Sequence, residues 1–331
     1  MTSGDGIGPA PDGGAVQAVK LRDGALSVTL WTLGAMLQDV RIGGGPPLLL
    51  SPRVPEEATG PLQYAGAIVG PVANRLQHGQ IPIAGQVWSL SPNEPSGHVV
   101  HCGNAGLHRR NWQVVERSDT HSLLALHVGH GQDGLPGNRE FRLTYLVEGG
   151  TRLSMRLEAE TDRETAVNLA HHPFWNLDGG GVIDDHRLWI DADAVLATDA
   201  LLIPTGERQG VAGTAFDFRE MRRIGHATRI DNNYCLGRNR VALRPVAKLA
   251  GASGTRLDIS TTEPGLQVFD GFSLPEGTVP LTNGDVLHPR AGIALEPQFW
   301  PDAPNQPGFA PITLTPGEVY RQTTQYSFHA P

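Results

Sequence analysis

Short runs in which apolar and polar residues alternate recur along almost the whole chain, and they constrain the fold more than any other feature. In residues 152–159, every second side chain is apolar, and the residues between them are charged or carry a hydroxyl. A period of two is the pattern of a strand that buries one face in a core. Helical periodicity is nearly absent, and only residues 216–224 are predicted to form a short helix. The chain is therefore predicted to be an all-β protein built from antiparallel sheets.

No internal repeat, charge block or linker divides the 331 residues into separate domains. Residues 1–14 are rich in Gly, Pro and Asp and are predicted to form a loose N-terminal tail. Residues 15–331 are predicted to form a single domain, a large many-stranded β-sandwich. The 41 glycines and 26 prolines suit a protein with many turns, whereas a hydrophobic fraction of 39% is too high for a disordered chain.

The composition also limits the partners that we expect. The net charge is −8 and no stripe of basic residues is present, so nucleic acid and anionic membranes are not expected as partners. Two cysteines, Cys102 and Cys235, are too few for a disulfide framework and favour a reducing compartment. The first residues lack the pattern of a signal peptide, and no apolar run is long enough to cross a bilayer. We therefore expect a soluble, cytoplasmic protein, a monomer or weak homodimer, whose partner is a small molecule.

A glutamate follows directly on an apolar run near the C-terminus. Residues 292–295 are typical of a buried strand, and Glu296 begins a segment rich in proline and aromatic residues that extends to Asn305. A carboxylate at the end of a strand is partly desolvated, which raises its pKa toward the working range of a general base. Alternatively, Glu296 could cap backbone N–H groups and anchor the loop. This segment alone does not distinguish the two.

Two adjacent histidines lie in the second informative segment, residues 168–177. If the segment is extended, His172 shares one face with Asn168 and Phe174, whereas His171 shares the other face with Trp175. Histidines on opposite faces do not chelate one metal ion together. An imidazole beside aromatic rings, with an asparagine on its own face, suits a positioned acid or base. The alternative is a pair of polar side chains whose hydrogen bonds are satisfied in the interior.

Further polar side chains lie at predicted strand ends and in one loop. Asn74 and Arg75 follow an apolar run and could bind hydroxyl groups of a ligand, brace a carboxylate or form a strand-end ion pair. Asp231 could accept hydrogen bonds from a ligand or cap a turn, and Gln267 lies inside a predicted strand, where a polar residue usually faces solvent. The loop of residues 93–108 carries three histidines whose spacing matches no tight zinc pattern.

Six segments together resemble the aldose 1-epimerase, or galactose mutarotase, family. They occur in the order typical of that family and span about residues 62–328. The matching segments are residues 66–75 with Gly79 and Gly85, 93–106 with Trp112, 168–177, 231–236, 265–269 and 296–305. The resemblance implies a β-supersandwich fold of the galactose mutarotase type. It also implies the interconversion of the α and β anomers of an aldohexose such as galactose or glucose, without a metal or an organic cofactor.

The resemblance also assigns roles to individual residues. Glu296 matches the general base that takes the proton from the C1 hydroxyl, and His172 matches the general acid that protonates the ring oxygen. His101 matches a second histidine that forms a hydrogen bond near the ring oxygen. The positions that match sugar contacts are Asn74, Arg75, Asp231 and Gln267. The choice of His172 over His171 rests on the Asn-Leu pair that follows it in the motif.

Several positions depart from the family pattern. Cys102 follows His101 where the family commonly has glycine, and Pro71 stands where it usually has arginine. Asn232 replaces the usual histidine after the aspartate, and His171 replaces the more usual Asn or Thr. These departures leave every catalytic group in place and concern the substrate and the fine geometry of the site.

Three rival functions make different demands on the sequence. A sugar-phosphate epimerase would need an anion clamp, for which residues 109–110 and 222–223, two Arg-Arg pairs, are the candidates. A non-catalytic sugar-binding or regulatory module would be favoured by the loss of Glu296 or His172, and both are present. A hydrolase typically needs two nearby carboxylates, and only Glu296 stands out.

The acid/base mechanism makes a geometric demand as well. All seven site residues should line one open cleft, although they lie far apart in sequence. The carboxylate of Glu296 and the imidazole of His172 are expected to lie one sugar ring apart, on the order of 5–8 Å. Four aromatic residues, Phe174, Trp175, Phe299 and Trp300, could pack on the C–H faces of the sugar or belong to the core.

Overall fold

The structure is a computed structural model that describes residues 6–277 and 279–331. These residues form 28 strands, five 3₁₀ turns and no α-helix. In chain order, the strands are β1 (Gly6–Pro9), β2 (Ala15–Asp23), β3 (Leu26–Trp31), β4 (Met36–Ile42), β5 (Leu49–Leu50), β6 (Ile68–Val69), β7 (Arg75–Leu76), β8 (Gln80–Ile83), β9 (Gln86–Ser89), β10 (Val99–Val100), β11 (Gln113–Arg117), β12 (His121–Val128), β13 (Arg139–Glu148), β14 (Arg152–Thr161), β15 (Thr165–Ala166), β16 (Ala170–His171), β17 (Phe174–Trp175), β18 (Arg187–Ile190), β19 (Ala194–Thr198), β20 (Pro204–Gly210), β21 (Arg222–Arg223), β22 (Asp231–Cys235), β23 (Arg244–Ala250), β24 (Arg256–Thr261), β25 (Gly265–Phe269), β26 (Ile293–Gln298), β27 (Thr313–Leu314) and β28 (Tyr320–His329). The 3₁₀ turns are Glu57–Thr59, Gln77–Gly79, Gly103–Ala105, Leu107–Arg109 and Ala303–Asn305.

Two large antiparallel sheets make up most of the molecule. One has nine strands in the order β11-β12-β13-β14-β28-β24-β23-β18-β21, and the other has seven in the order β20-β19-β22-β25-β26-β17-β5. A third sheet of four strands, β1 to β4, packs its apolar face into the same core. The predicted all-β, antiparallel architecture is therefore confirmed.

The core lies between the facing surfaces of the two large sheets. On β14, the apolar residues of the alternating pattern are buried, as predicted: Leu153, Met155, Leu157 and Ala159. Across the core, the indole ring of Trp175 on β17 lies 5.3 Å from the ring of Tyr326 on β28 and 5.8 Å from that of Phe328. These aromatic contacts join the two sheets directly beneath the segment that carries the paired histidines.

The predicted helix over residues 216–224 is wrong. The chain there makes turns in which the side chains of Thr214 and Asp217 accept hydrogen bonds from nearby backbone N–H groups. It then forms β21, which pairs with β18 at the edge of the nine-stranded sheet. Short polar side chains that bond to the local backbone compete with a helical ladder, and the apolar spacing of this segment did not reveal that competition.

The N-terminal segment also differs in part from the prediction of a loose tail over residues 1–14. Residues 1–5 lie outside the described part of the chain. Gly6–Pro9 form β1, an edge strand paired with β2, so that part of the segment is tied to the four-stranded sheet. Within the described ranges, no helix is both long and apolar enough to cross a membrane.

Gly66 shows how tightly the backbone packs next to the paired histidines. Its N–H donates to the carbonyl of His172 over 2.9 Å, and its own carbonyl accepts from Nε2 of His171 over 3.1 Å. The residue has φ +74°, and a Cβ atom placed there would lie 2.1 Å from the carbonyl oxygen of Leu37. Gly85, in the β8–β9 turn, has a similar φ of +75° but open space around it.

We expect Gly66→Ala to lower the free energy of unfolding by about 3 kcal/mol or more, because left-handed strain and a backbone clash act together. The matched control Gly85→Ala should cost only about 1–2 kcal/mol, since strain acts there alone. Urea unfolding of both variants measures the difference. Equal losses would show that the backbone around Leu37 moves aside without cost.

Candidate active site

Neighbouring strands of the seven-stranded sheet bring the predicted residues together. Asp231 is on β22, Gln267 on β25 and Glu296 on β26, and these three strands are adjacent. Gln267 and Glu296 are direct partners across the β25–β26 ladder. Adjacent strands lie about 4.8 Å apart, so the row from Glu296 to Asp231 spans roughly 10 Å of backbone, close to the length of a sugar ring with its substituents.

Glu296 was predicted at the end of a strand, but β26 continues through it to Gln298. The following proline still pairs in register, opposite Leu266. The carboxylate is consequently held by a regular ladder rather than by the loop that follows, and the residue is 1% exposed.

His172 lies two residues before β17, the strand next to β26. Phe174 of β17 pairs with Ala294 of β26, and this register brings the chain just before β17 alongside Glu296, although His172 itself lies outside the ladder. Backbone hydrogen bonds fix its position: the N–H of His172 donates to the carbonyl of Ala67 over 3.0 Å, and its carbonyl accepts from the N–H of Gly66. The side chains of His172 and Glu296 consequently meet at one place on the sheet.

His171 faces the opposite side, as the period-two pattern predicted. Its Nδ1 lies 3.0 Å from the hydroxyl of Tyr326, and its Nε2 donates to the carbonyl of Gly66. The side chain is fully buried in the core, where burial lowers its pKa to about 3. His171 thus contacts core groups, whereas His172 faces a cavity.

All seven predicted site residues line one cavity of about 240 Å³: Asn74, Arg75, His101, His172, Asp231, Gln267 and Glu296. This volume is below the range of about 300–1,000 Å³ that is typical of pockets for drug-sized ligands, and it suits a molecule the size of one sugar ring. A larger cavity of about 800 Å³ includes Arg109 and Arg110 in its lining, but none of the seven residues.

The predicted separation of about 5–8 Å between the acid and the base is wrong. Nε2 of His172 lies 3.4 Å from Oε1 of Glu296. The β17–β26 ladder, together with the backbone bonds of His172 to Gly66 and Ala67, brings the two groups this close. Chemistry at an anomeric carbon also favours the shorter distance, because the C1 hydroxyl oxygen and the ring oxygen are bonded to the same carbon.

Burial controls the protonation of this pair. Burial raises the pKa of Glu296 well above its usual value; the Asp231 carboxylate raises it further and the Arg75 guanidinium opposes the shift. Burial also lowers the pKa of His172 to about 4. The desolvated site disfavours two forms of the pair. One is the form without a proton, in which the carboxylate is charged beside a neutral imidazole; the other is the form with two protons, in which the imidazolium is charged beside a neutral carboxyl. Over a wide pH range the pair consequently holds one proton.

His101 is a neutral hydrogen-bond donor in this geometry. Its Nδ1 accepts the backbone N–H of Asn74 over 3.0 Å, so the ring proton of the neutral imidazole is on Nε2. Burial lowers its pKa well below the usual value, and His172, His108 and Arg75 lower it further. The N–H of His101 in turn donates to the carbonyl of Asn74 over 3.1 Å. The two residues thus hold each other in place.

Three residues with left-handed backbone conformations lie at this point. Asn74, His101 and Cys102 all have left-handed backbone conformations, with φ of 63°, 53° and 60°. Such conformations are uncommon for residues other than glycine and occur often in functional sites, where the surrounding contacts enforce them.

The cavity also contains three groups whose spacing could hold a metal ion. His101, His172 and Glu296 each offer one ligand atom, and these atoms lie within 4.8 Å of one another. The chemistry of His101 fits this role poorly: Nδ1 already accepts a backbone hydrogen bond, and Nε2 carries the ring proton. A metal at this position would have to displace the Asn74 contact or deprotonate the imidazole.

At the Asp231 end of the row of strands, charged and polar side chains form a network. Nη1 of Arg75 lies 3.5 Å from Oδ2 of Asp231, and Nε2 of Gln267 donates to Oδ1 of Asp231 over 2.7 Å. Gln267 is therefore buried and bonded, contrary to the usual orientation of a polar residue in a strand. Glu94 contacts the remaining side of the guanidinium, with its Oε1 3.2 Å from Nε and from Nη2 of Arg75.

Tyr64 and Glu94 are among the cavity residues that were not predicted from the sequence. The ring of Tyr64 lies 4.8 Å from that of His101 and 5.9 Å from that of His172. Burial raises the pKa of its hydroxyl to about 12, so the phenol stays neutral. Tyr64 lies just before the first motif and no periodicity distinguished it, whereas Glu94 was inside the loop motif but was not assigned a role.

The remaining predicted aromatic and histidine positions divide between the cavity and the core. Of the four aromatic candidates, only Phe174 lines the cavity; Trp175 lies in the core, Trp300 packs against Phe309, and Phe299 lies under the guanidinium of Arg240. Of the three loop histidines, only His101 lines it. His98 accepts the backbone N–H of His78, and His108 is buried against the ring of Tyr64.

Comparison with known proteins agrees with this geometry. The family described as aldose 1-epimerase matches residues 17–327. The chain belongs to the aldose 1-epimerase family. Galactose mutarotase of Rattus norvegicus is 35% identical over 331 residues, with 96% of this chain and 95% of the rat protein covered. Aldose 1-epimerase of Escherichia coli strain K12 is 32% identical over 344 residues, with 97% of each chain covered.

A solved structure supports the same placement. The aldose epimerase homologue from C. elegans superposes with a TM-score of 0.89 at 26% sequence identity, covering 96% of this chain and 99% of the other. The family resemblance carried by the six motifs is thus confirmed, and so is the galactose mutarotase-like fold. As a member of the aldose 1-epimerase family, the protein is an isomerase.

The shared proton predicts a flat pH profile around neutrality. We expect kcat/KM to be constant from about pH 5 to about pH 7, because the one-proton state persists across this range. Activity should fall near and below about pH 4, where the pair binds a second proton at His172. It should fall again at alkaline pH, where the pair loses its only proton from Glu296. Initial rates in overlapping buffers measure this profile. A decline centred near pH 6.5 would instead indicate an unperturbed histidine.

The two adjacent histidines should respond differently to substitution. His172→Asn should lower kcat by about 10²–10⁴-fold, because it removes one of the two predicted proton-transfer groups. His171→Asn should lower the melting temperature, since it removes two core hydrogen bonds, while the folded fraction keeps most of its activity. The opposite ranking in kcat per folded molecule would show that His171 is the acid.

Proposed function

We propose that this protein interconverts the α and β anomers of a neutral aldohexose such as galactose or glucose, with Glu296 as base and His172 as acid. The observation that carries the proposal is the contact between their side chains, with Nε2 of His172 3.4 Å from Oε1 of Glu296, in the lining of a cavity that suits one sugar ring. The names of the relatives, galactose mutarotase and aldose 1-epimerase, describe the same reaction class.

Ring opening in this proposal needs one proton at each oxygen of the anomeric carbon. Burial favours the single proton on Glu296 in the free protein, and the reaction starts from the other one-proton form, in which Glu296 is ionised and His172 holds the proton. Glu296 takes the proton from the C1 hydroxyl as the C1–O5 bond breaks. The O–H electron pair forms the carbonyl of the aldehyde, and the pair released from the C1–O5 bond takes the proton of His172 onto O5. The carboxyl now holds the proton and the imidazole is neutral, so the pair still carries one proton and its net charge is unchanged.

Ring closure runs the same steps on the other face of the aldehyde. Rotation about the C1–C2 bond turns the carbonyl over. O5 then attacks C1 and returns its proton to His172, while Glu296 gives its proton to the new C1 hydroxyl. Since each closed cycle returns both groups to their starting state, the proposed reaction needs no metal ion and no organic cofactor.

The other cavity residues have positioning roles in this proposal. Nε2–H of His101 is a fixed donor toward the ring oxygen, because Nδ1 is held by the backbone of Asn74. Asp231 accepts from sugar hydroxyls while Gln267 and Arg75 hold its two oxygens. A ring whose position is fixed at both ends is thus held for proton transfer at C1.

The rival functions are not favoured by the geometry. The Arg109–Arg110 pair contributes to a different cavity, and Arg222 and Arg223 are part of the edge strand β21. An anion clamp is therefore not assembled at the site by these residues. A hydrolase would need a second free carboxylate, and Asp231 is engaged by Arg75 and Gln267.

Polarimetry of freshly dissolved α-D-galactose and α-D-glucose tests the proposal directly. We expect the protein to accelerate mutarotation above the spontaneous rate in buffer with EDTA. Glu296→Gln should lower kcat/KM by about 10²–10⁴-fold, because a carboxamide does not accept the proton. Thermal unfolding of the variant serves as the control for its fold. Near-native activity of Glu296→Gln would refute the assignment of the base, and no acceleration by the native protein would refute the function.

A further inference from the structure

Glu94 occupies a position in the cavity that the proposed proton transfers do not use. It lies in the loop between β9 and β10, and its Oε1 contacts both Nε and Nη2 of Arg75. Asp231 contacts Nη1 on the other side of the same guanidinium. The side chains of all three residues are largely buried, with exposed fractions of 16% for Arg75, 21% for Glu94 and 17% for Asp231. Arg75 is thus enclosed by two carboxylates.

The charge of Arg75 is consequently balanced inside the protein. Among the residues that line the cavity, the carboxylates are Glu94, Asp231 and Glu296, and the only Lys or Arg is Arg75. Even with a proton on Glu296 or shared with His172, Glu94 and Asp231 outnumber the guanidinium. A cavity wall of this composition repels an anionic substituent on the ligand, and low solvent exposure strengthens the effect.

The position of Glu94 decides which part of a sugar would meet this charge. Glu296 and His172 fix the anomeric end, and Asp231 lies two strands away along the row. Glu94 is joined to that far end through Arg75. A sugar with C1 at the catalytic pair therefore directs its non-anomeric substituents, including those at C6, toward Arg75 and its two carboxylates.

We infer that Glu94 is a specificity-determining residue that makes the site select neutral aldoses and reject sugars with an anionic group away from C1. It does so by compensating the guanidinium of Arg75, which would otherwise attract such a group. This inference rests on the proposed function and adds a role for a residue outside the proton-transfer pair.

The test compares α-D-galactose with α-D-galacturonic acid, which carries a carboxylate at C6 and is ionised at neutral pH. We expect the native protein to prefer galactose by about tenfold or more in kcat/KM. In Glu94→Gln the preference should shrink by about fivefold or more, chiefly through a lower KM for galacturonate. The Nε and Nη2 side of Arg75 then has no carboxylate partner in the protein and can pair with the carboxylate of the sugar, while Nη1 keeps its contact with Asp231.

Two further variants separate charge from packing. Glu94→Asp keeps the negative charge and should retain the preference, even if KM for galactose rises. Glu140→Gln removes the same charge from an exposed ion pair with His127 outside the cavity, and it should leave the preference unchanged. Both controls are measured with the same two sugars.

The possible outcomes are distinguishable. If Glu94→Gln lowers kcat/KM equally for both sugars, Glu94 only braces Arg75 and the inference is overturned. It is also overturned if the native protein accepts galacturonate as well as galactose. If the native protein accelerates mutarotation of neither neutral aldose, the proposed function fails and this inference fails with it. A shrunken preference in Glu94→Gln alone supports the role of Glu94 in selectivity.

Discussion

The pairing of β17 with β26 is the constraint on which the rest of the site depends. It brings the carboxylate of Glu296 on β26 next to the imidazole of His172, two residues before β17, in a region where burial disfavours net charge on the pair. A one-residue slip of either strand would turn one of the two side chains to the other face of the sheet. Contacts of the neighbouring backbone oppose such a slip. Gly66 bonds to both His171 and His172 and packs against Leu37 without room for a side chain.

Two ends of one row of strands carry different chemistry. At one end, burial favours a single proton on the Glu296–His172 pair, which leaves the pair without net charge. At the other end, Arg75 lies between Glu94 and Asp231, and its charge is compensated by the protein itself. The first arrangement suits proton transfer, whereas the second suits recognition of hydroxyl groups. The sheet keeps the two apart by the fixed spacing of its strands.

The sequence was sufficient for the residues whose role follows from local pattern. Alternation predicted most strands and the opposite orientation of His171 and His172, and six motifs in order were enough to identify the family. It was insufficient wherever the answer depends on which strands are neighbours. The predicted distance between Glu296 and His172 was wrong because it depends on the pairing of β17 with β26, which are far apart in the sequence. Glu94 and Tyr64 were missed because their importance comes from contacts with distant residues. The helix predicted over residues 216–224 does not form, because the side chains of Thr214 and Asp217 bond to the local backbone, and apolar spacing alone does not reveal such bonds.

The wide sequence separation of the cavity residues has a consequence for how the site comes into being. Asn74, His172 and Glu296 come from three distant parts of the chain, and they meet only after both long-range pairings, β6 with β16 and β17 with β26, are in place. Contacts of this kind form late in folding, since a large loss of chain entropy precedes them. The site is therefore a property of the completed fold. A chain that lacks the last strands of the seven-stranded sheet therefore lacks the assembled cavity, even where its other sheets are complete.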